Sequence, residues 1–352
     1  VSAILTPFAW LFQAIVSLRN NAYDRGWLVG RELPCPVISV GNLTVGGTGK
    51  TPMVITLAEK LCDMRIKVGI LSRGYRRKSR GTVVVSDGRN HPLDPHIAGD
   101  EPALIARKLH GVPVVADEIR FRGGMQMIRQ FQPEVILLDD GFQHRALHRN
   151  LDIVLLDASY PLSNIRLLPA GRLREPLSSL KRADLIIMTR ATENHPNDDT
   201  LRQIASHTNA PIIRSTHNPE GWLSLKGKSR SITQGPKIIN PLLVSGIARP
   251  DDFENTVRSL GITPAAHLTY PDHQIYGPKQ LEQIAGVYRS VKADAIITTE
   301  KDLVKIPPLI EALNVWALRI SVRITEGEDL LDRMLTELLP REHQGKKEGK
   351  SA

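Results

Sequence analysis

The stretch from Gly41 to Pro52, GNLTVGGTGKTP, joins a short apolar run, Pro36 to Val40, to a helical pattern that begins at about Lys50. Strand, glycine loop and helix in that order make a phosphate-binding loop. Gly46, Gly47 and Gly49 carry no Cβ to keep backbone N–H groups from converging on phosphate oxygens, and the helix N-terminus adds its dipole. Lys50 is placed to reach the β- and γ-phosphates of a nucleotide, and the Thr51 hydroxyl to sit on Mg²⁺. The full pattern asks for glycine five residues before Gly49, where Thr44 stands. Thr44, Val45, Gly46, Gly47, Thr48, Gly49, Lys50 and Thr51 therefore read as a variant loop.

A nucleotide with Mg²⁺ needs a carboxylate at the end of a neighbouring strand. The run Val135 to Leu138 ends in Asp139-Asp140-Gly141, and Ile153 to Leu156 ends in Asp157, a competitor for the role. The doubled aspartate is preferred, because two adjacent carboxylates at a strand's C-terminal end are costly unless a cation compensates them. Asp100, in Gly99-Asp100-Glu101-Pro102, is by position the N-cap of a helix, and an aspartate held ionised there can also accept a proton from a hydroxyl. Arg172, Arg174 and Glu175 beside Pro176 offer guanidiniums for phosphate and a carboxylate for metal.

Positive charge gathers near the same strand ends. Ser72 to Arg80 holds five cations in nine residues, Arg73, Arg76, Arg77, Lys78 and Arg80, with Tyr75 among them. Gln143, His144 and Arg145 follow the aspartate pair, and their spacing is not that of a zinc site. Phosphate binding suits both groups. One interleaved aromatic, in a chain that is 5% aromatic, gives poor support for stacking nucleic-acid bases. Further on, Tyr270-Pro271-Asp272-His273 groups a histidine with an acid. Thr298 to Asp302, TTEKD, follows a strand and suits either nucleotide or inter-domain contacts or a plain capping turn.

The elements that must position these residues are short Val, Ile and Leu runs: Val37 to Val40, Val68 to Leu71, Thr82 to Val85, Val112 to Val115, Val135 to Leu138, Ile153 to Leu156 and Leu185 to Met188. They read as strands buried on both faces. Helical patterns at Lys50 to Cys62, Glu101 to His110 and Ile119 to Phe131 lie between them, the alternation of a parallel α/β sheet. After Arg190, the segment ATENHPNDDT reads as a linker. Strands at Pro211 to Arg214, Leu242 to Ser245, Ala295 to Thr298 and Val315 to Ile320 then suggest a second α/β unit. The expected plan is α/β: a P-loop NTPase-like parallel sheet domain at 29–190, a smaller α/β domain at 191–340, an N-terminal membrane-associating helix at 1–28 and a flexible tail at 341–352.

The chain has 352 residues, 46 Lys plus Arg against 37 Asp plus Glu, a net charge of +9, and is 41% hydrophobic and 24% charged. This composition excludes a polytopic membrane protein and a largely disordered chain, and the surplus of positive charge asks for an anionic partner. Two cysteines, Cys35 and Cys62, exclude a disulfide framework. The first 18 residues carry no charged side chain. As a helix they would reach roughly 27 Å, just short of a bilayer core of about 30 Å. Thr6-Pro7 reads as an N-cap and first-turn proline, so the helix is expected to start at Pro7. Phe8, Leu11, Phe12 and Ile15 share one face, with Gln13, Ser17 and Asn20 away from it, which fits a helix lying in a membrane interface. A single span and a helix buried in the core are the alternatives.

VGNLTVGGTGKTP, ILSRGY, GDEP, ILLDDGFQHR, PAGRLREP, YPDH and TTEKD occur in this order over roughly positions 38 to 302. Together they resemble the tetraacyldisaccharide 4'-kinases, the lipid A pathway kinases often called LpxK. The resemblance implies transfer of the γ-phosphoryl group of ATP, with Mg²⁺, to the 4'-hydroxyl of a tetraacylated glucosamine disaccharide 1-phosphate. It implies a peripheral or monotopic place on the cytoplasmic face of the bacterial inner membrane, with no nucleic acid and no protein partner. Matched motif by motif, Thr44 to Thr51 form the ATP loop and Asp100 is the base. His273 is its dyad partner when the domains close. Lys50 and Arg174 stabilise transferring charge, while Asp139 or Asp140, Thr51 and Glu175 serve Mg²⁺. Arg73, Tyr75, Arg76, Arg77, Gln143 and His144 meet the glycolipid. A P-loop switch or metallochaperone-type NTPase is the competing reading.

Overall fold

A computed structural model describes residues 2–90, 92–160, 162, 165–192, 198–307 and 313–339, with side chains from residue 5 onward. The expected tail at 341–352 and the middle half of the expected linker after Arg190, residues 193–197, lie outside the described residues, while its last three residues open a helix. In chain order the elements are α1 (Ser2–Asp24), β1 (Val37–Asn42), α2 (Lys50–Asp63), β2 (Val68–Ser72), β3 (Val83–Ser86), α3 (Pro95–Ala98), α4 (Asp100–Lys108), β4 (Val114–Ala116), α5 (Arg120–Phe131), β5 (Val135–Asp139), β6 (Leu151–Asp157) and β7 (Leu185–Thr189). A second series follows: α6 (Asp198–Ala205), β8 (Ile212–Ser224), β9 (Ser229–Ser231), β10 (Pro241–Ser245), α7 (Pro250–Ser259), β11 (Ala266–Thr269), α8 (Pro278–Ser290), β12 (Ala295–Thr299), α9 (Glu300–Leu303), β13 (Val315–Glu326) and α10 (Glu328–Glu337).

All of these strands belong to one mixed sheet, ordered β11-β10-β12-β13-β8-β7-β6-β1-β5-β2-β4-β3, with β9 on β8. The pairs are parallel except β3 with β4, β8 with β13 and β8 with β9. Alternation across the pleat sends Ile38, Val40, Leu137, Ile153 and Leu155 to one face, where α2, α4 and α10 pack. Val37, Ile136 and Leu138 go to the other, against Met127 of α5. The far half of the sheet repeats this design with its own cores, Leu242, Val244 and Ile296 on one face and Leu243, Ile297 and Leu318 on the other.

The β8–β13 pair is much longer than the sequence suggests, because it serves both halves. Ile213, Val322 and Ile324 join the first core, while Trp222, Trp316 and Leu318 join the second. The loops after β1, β2, β5, β6 and β7 all open at the carboxyl edge of the sheet, the edge where ligands of open α/β sheets bind.

The N-terminal helix begins at Ser2 and carries Pro7 inside it, rather than starting at Pro7. Its body-facing side is Ala9, Val16 and Asn20, all buried. Asn20, expected on the polar face, binds Glu175 through Nδ2 at 3.4 Å. Of the expected apolar face, Phe8, Leu11 and Ile15 are about 60% exposed (60%, 60% and 59%), joined by Trp10 and Leu18, whereas Phe12 packs against the core around Leu43 and Phe142. No helix among the described residues is long and apolar enough to cross a membrane.

Candidate active site

The glycine loop closes over the edge of β1. Thr44 forms an isolated bridge with Leu173, and Val45 N–H donates to the Arg172 carbonyl at 2.8 Å. That pairing keeps Thr44 in bridged backbone, so no glycine is needed where the common pattern has one. Gly46 (φ +113°) and Gly49 (φ +84°) do need to be glycine. A Cβ on Gly46 would lie 2.4 Å from the Arg172 guanidinium, and one on Gly49 would lie 2.6 Å from His217 Nε2. Asn42 Nδ2 donates to Thr48 Oγ1 at 2.8 Å and fixes the loop from below. Lys50 opens α2, with Nζ 3.6 Å from Asp140 Oδ1. Arg174 Nη1 donates to both Asp140 oxygens, at 2.9 and 2.8 Å. The loop lysine, the second aspartate and the arginine thus converge in one cleft of about 1490 Å³.

The two aspartates at the end of β5 differ. Asp139 is buried; its Oδ2 accepts from Ser72 Oγ at 2.9 Å, and its Oδ1 has no partner. Burial, then the negative charges of Glu101 and Asp140, push its carboxyl up to about 7. Burial acts on Asp140 as well, but Lys50 and Arg174 outweigh it and hold that carboxyl below the usual range. An orphaned carboxylate oxygen beside the Thr51 end of a phosphate loop fits Mg²⁺, which takes few protein ligands and fills its shell with phosphate and water. Among the described residues there is no cluster of three or more His, Cys, Asp or Glu that could hold a metal unaided. Glu175 does not join this set. Its oxygens accept from Arg19 and Arg182, each at 2.6 Å, so its charge is spent tying α1 to the body.

Asp100 does not cap its helix. Gly99, at φ +94°, takes that position and lets α4 start directly after α3. The freed Asp100 Oδ2 lies 3.2 Å from His273 Nδ1, so the expected dyad is already assembled across the two halves of the sheet. Burial would raise the Asp100 carboxyl; the hydrogen bond from His273 and the charges of Lys305, His273 and Lys301 together bring it below its ordinary value.

Arg73, Tyr75, Arg76, Gln143 and His144 line the cleft as expected. Arg76 lies over the Tyr75 ring and donates to the Asp272 carbonyl at 3.3 Å. Burial first, then Arg120 and other cations, lower His144 to about 4, so it is neutral. Arg77 is a correction. Its guanidinium turns inward to Glu118 and donates to the Ala116 carbonyl at 3.1 Å and the Gly81 carbonyl at 2.6 Å, bracing the basic loop rather than facing a ligand.

Other cleft residues escaped the sequence reading. Arg120, at the start of α5, is buried in the cleft wall with Nε unpartnered. Arg190 and Arg249 reach Asp157 from opposite halves, so the competing strand-end aspartate is already neutralised by protein. His217 from β8 faces Gly49, held neutral by burial and then by Arg190. Backbone strain marks the same place. Of the non-glycine residues with positive φ, Arg65, Gln132 and Lys292 sit at helix C-termini, whereas Arg76, Asp140, Arg190 and His273 line the cleft.

A phosphate loop, a strand-end aspartate pair, a carboxylate–histidine dyad and converging arginines on a mostly parallel sheet define a P-loop phosphotransferase. The profile of the tetraacyldisaccharide-1-P 4'-kinases (LpxK) matches residues 1–339, and the chain belongs to that family. A tetraacyldisaccharide 4'-kinase of Syntrophus aciditrophicus is 40% identical over 335 residues, 91% of this chain and 89% of that protein. One from Geobacter metallireducens is 40% identical over 340 residues, 95% and 98% of the two chains. The crystal structure of LpxK from Aquifex aeolicus in complex with ATP superposes with a TM-score of 0.78 at 36% identity, covering 96% of this chain and 99% of that one.

Proposed function

We propose that the chain phosphorylates the 4'-hydroxyl of a tetraacylated glucosamine disaccharide 1-phosphate with ATP and Mg²⁺. The observation that carries the reading is the Asp100–His273 pair, 3.2 Å apart, with His273 lining the same cleft as Lys50, Asp140 and Arg174. Asp100 accepts the hydroxyl proton as the sugar oxygen attacks the γ-phosphorus, and ADP leaves with the electron pair of the broken P–O bond. Lys50 and Arg174 face the charge that spreads over the phosphoryl oxygens. Thr51 with Asp139 and Asp140 would hold Mg²⁺, which supplies charge neutralisation when bound. Arg73, Tyr75, Arg76, Gln143 and His144 orient the acceptor, and the 1-phosphate suits their positive surroundings.

The acceptor is a lipid, and the exposed Phe8, Trp10, Leu11, Ile15 and Leu18 of α1 give the protein a surface for the cytoplasmic face of the inner membrane. Separate cores in the two halves support the division into a kinase domain at 29–190 and a smaller domain at 191–340, with α10 returning as a strap to the first core. The test is transfer of labelled γ-phosphate from ATP to the disaccharide lipid. Asp100→Ala is expected to lower kcat by about 10²- to 10⁴-fold while ATP still binds. Full activity in that variant would remove Asp100 from its role, and nucleotide hydrolysis indifferent to the acceptor would favour the NTPase switch instead.

A further inference from the structure

The catalytic dyad has a second histidine nitrogen whose surroundings decide whether the dyad works. His273 Nε2 lies 3.3 Å from Lys301 Nζ. The same ammonium is 3.0 Å from Asp272 Oδ1 and 3.8 Å from Glu101 Oε1. Lys305 stands on the other side, with Nζ 3.7 Å from Asp100 Oδ2 and 3.1 Å from Asp302 Oδ1. Both lysines come from α9 and the turn after it, directly behind the strand end that carries TTEKD, and Thr299 fixes that turn by accepting from Asp302 N–H at 3.1 Å.

An ammonium has donors and no acceptor. Facing Lys301, Nε2 must accept, which leaves the imidazole proton on Nδ1, pointed at Asp100. We propose that Lys301 is a positioning residue for phosphoryl transfer: it fixes His273 as the Nδ1–H tautomer and thereby the orientation of the Asp100 base. This rests on the kinase reading above. Lys301 is mostly buried, which favours losing its proton; Glu101, Asp272 and Asp100 outweigh that and hold its ammonium above the usual range. Without it, Asp272 Oδ2, 3.8 Å from Nε2, becomes the nearest partner and draws a proton to the wrong nitrogen. The charged and titratable groups around the dyad are Asp100 and Glu101 of α4, Asp272 beside it, Lys301, Asp302 and Lys305, with the Tyr75 ring edge-on to His273 at 5.5 Å and Arg76 on the Asp272 carbonyl.

The experiment compares wild type, Lys301→Met and Lys301→Arg as full-length protein in detergent with the disaccharide lipid. It reads kcat, both KM values and the ¹⁵N shifts of labelled histidine, with His273→Asn assigning the signal. Lys301→Met is expected to lose about 10- to 100-fold in kcat, with both KM values within about twofold, and to shift His273 away from the Nδ1–H tautomer. Lys301→Arg keeps a donor and is expected to restore the tautomer and most of kcat. An unchanged tautomer in Lys301→Met, or a loss carried by KM, overturns the proposal, as does a Lys301→Arg variant that holds the tautomer but stays as slow as Lys301→Met. If wild type moves no phosphate to the lipid, the kinase reading fails, while the ¹⁵N shifts still judge the tautomer.

Discussion

Two aspartates at the cleft, Asp139 in its wall and Asp100 bonded to the lining His273, are treated in opposite ways by the fold. Asp139 is buried with one oxygen unpartnered and its carboxyl raised to about 7. Asp100 is surrounded by His273, Lys301 and Lys305 and is lowered. One side has been left short of positive charge, which a divalent cation can supply; the other has its cations built in. The difference suits the two jobs proposed for them, each of which needs a carboxylate. A base must stay ionised whether or not nucleotide is bound, whereas a metal ligand gains by being unsatisfied until the metal arrives. Glu175 is a third case, fully neutralised by Arg19 and Arg182, and it has become a structural tie.

The largest effect expected of this contrast is on chemistry. Asp139→Ala should cost about 10³-fold in kcat, and titrating Mg²⁺ should show a weakened metal response in that variant and an unaltered one in Asp100→Ala. A normal Mg²⁺ response in Asp139→Ala would erase the distinction between the two aspartates. Glu175→Ala comes next, since it strands two guanidiniums. A loss of about 3–5 kcal/mol in unfolding free energy, read by denaturant melts, would confirm a tie, while unchanged stability with altered metal affinity would return Glu175 to the metal site.

A smaller effect concerns pH. Asp139 binds its proton more tightly folded than unfolded, so the metal-free protein should lose stability from this group as pH rises from 3.8 toward about 7. Asp100 has the opposite sign: its contribution is present above 3.8 and fades as pH falls through its lowered value. Melting curves of Asp139→Asn should lack the first slope and keep the second. Least of all, Arg77→Gln should shift the acceptor KM by less than about twofold while lowering Tm by a few degrees, about 1–2 kcal/mol of lost hydrogen bonding; a large KM change would put Arg77 back among the ligands.

Much of the candidate site's layout was legible because chemistry-bearing residues and local sequence pattern coincide at the ends of elements. Lys50, Asp139, Asp140 and Asp100 each stand at the start or end of a short element whose own pattern reveals it. The strands of the first half were readable for the same reason, being buried on both faces and uniformly aliphatic. The length of β8 and β13 was not, because Pro219, Gly221 and the register shift at Arg319/Ile320 interrupt the pattern where these strands turn from one core to the other. Arg77 and Glu175 show the limit of residue type: an arginine in a basic loop reads alike whether its guanidinium faces solvent or a buried carbonyl. Arg120, Arg190 and His217 carry no local signal, and Lys301, visible only as part of TTEKD, shows its partner His273 only in the fold. Positive φ at Arg190 singles it out, and that is a property of the backbone in space.

The β8–β13 ladder also bears on how the cleft moves. Among the described residues, two strands that enter both cores, with β8 laddered to β7 on its other side, tie the halves together. A relative motion of the halves would have to twist this hydrogen-bonded ribbon. Any such twist would store strain in the ladder rather than in a joint, and a ladder returns to its register when the load is removed.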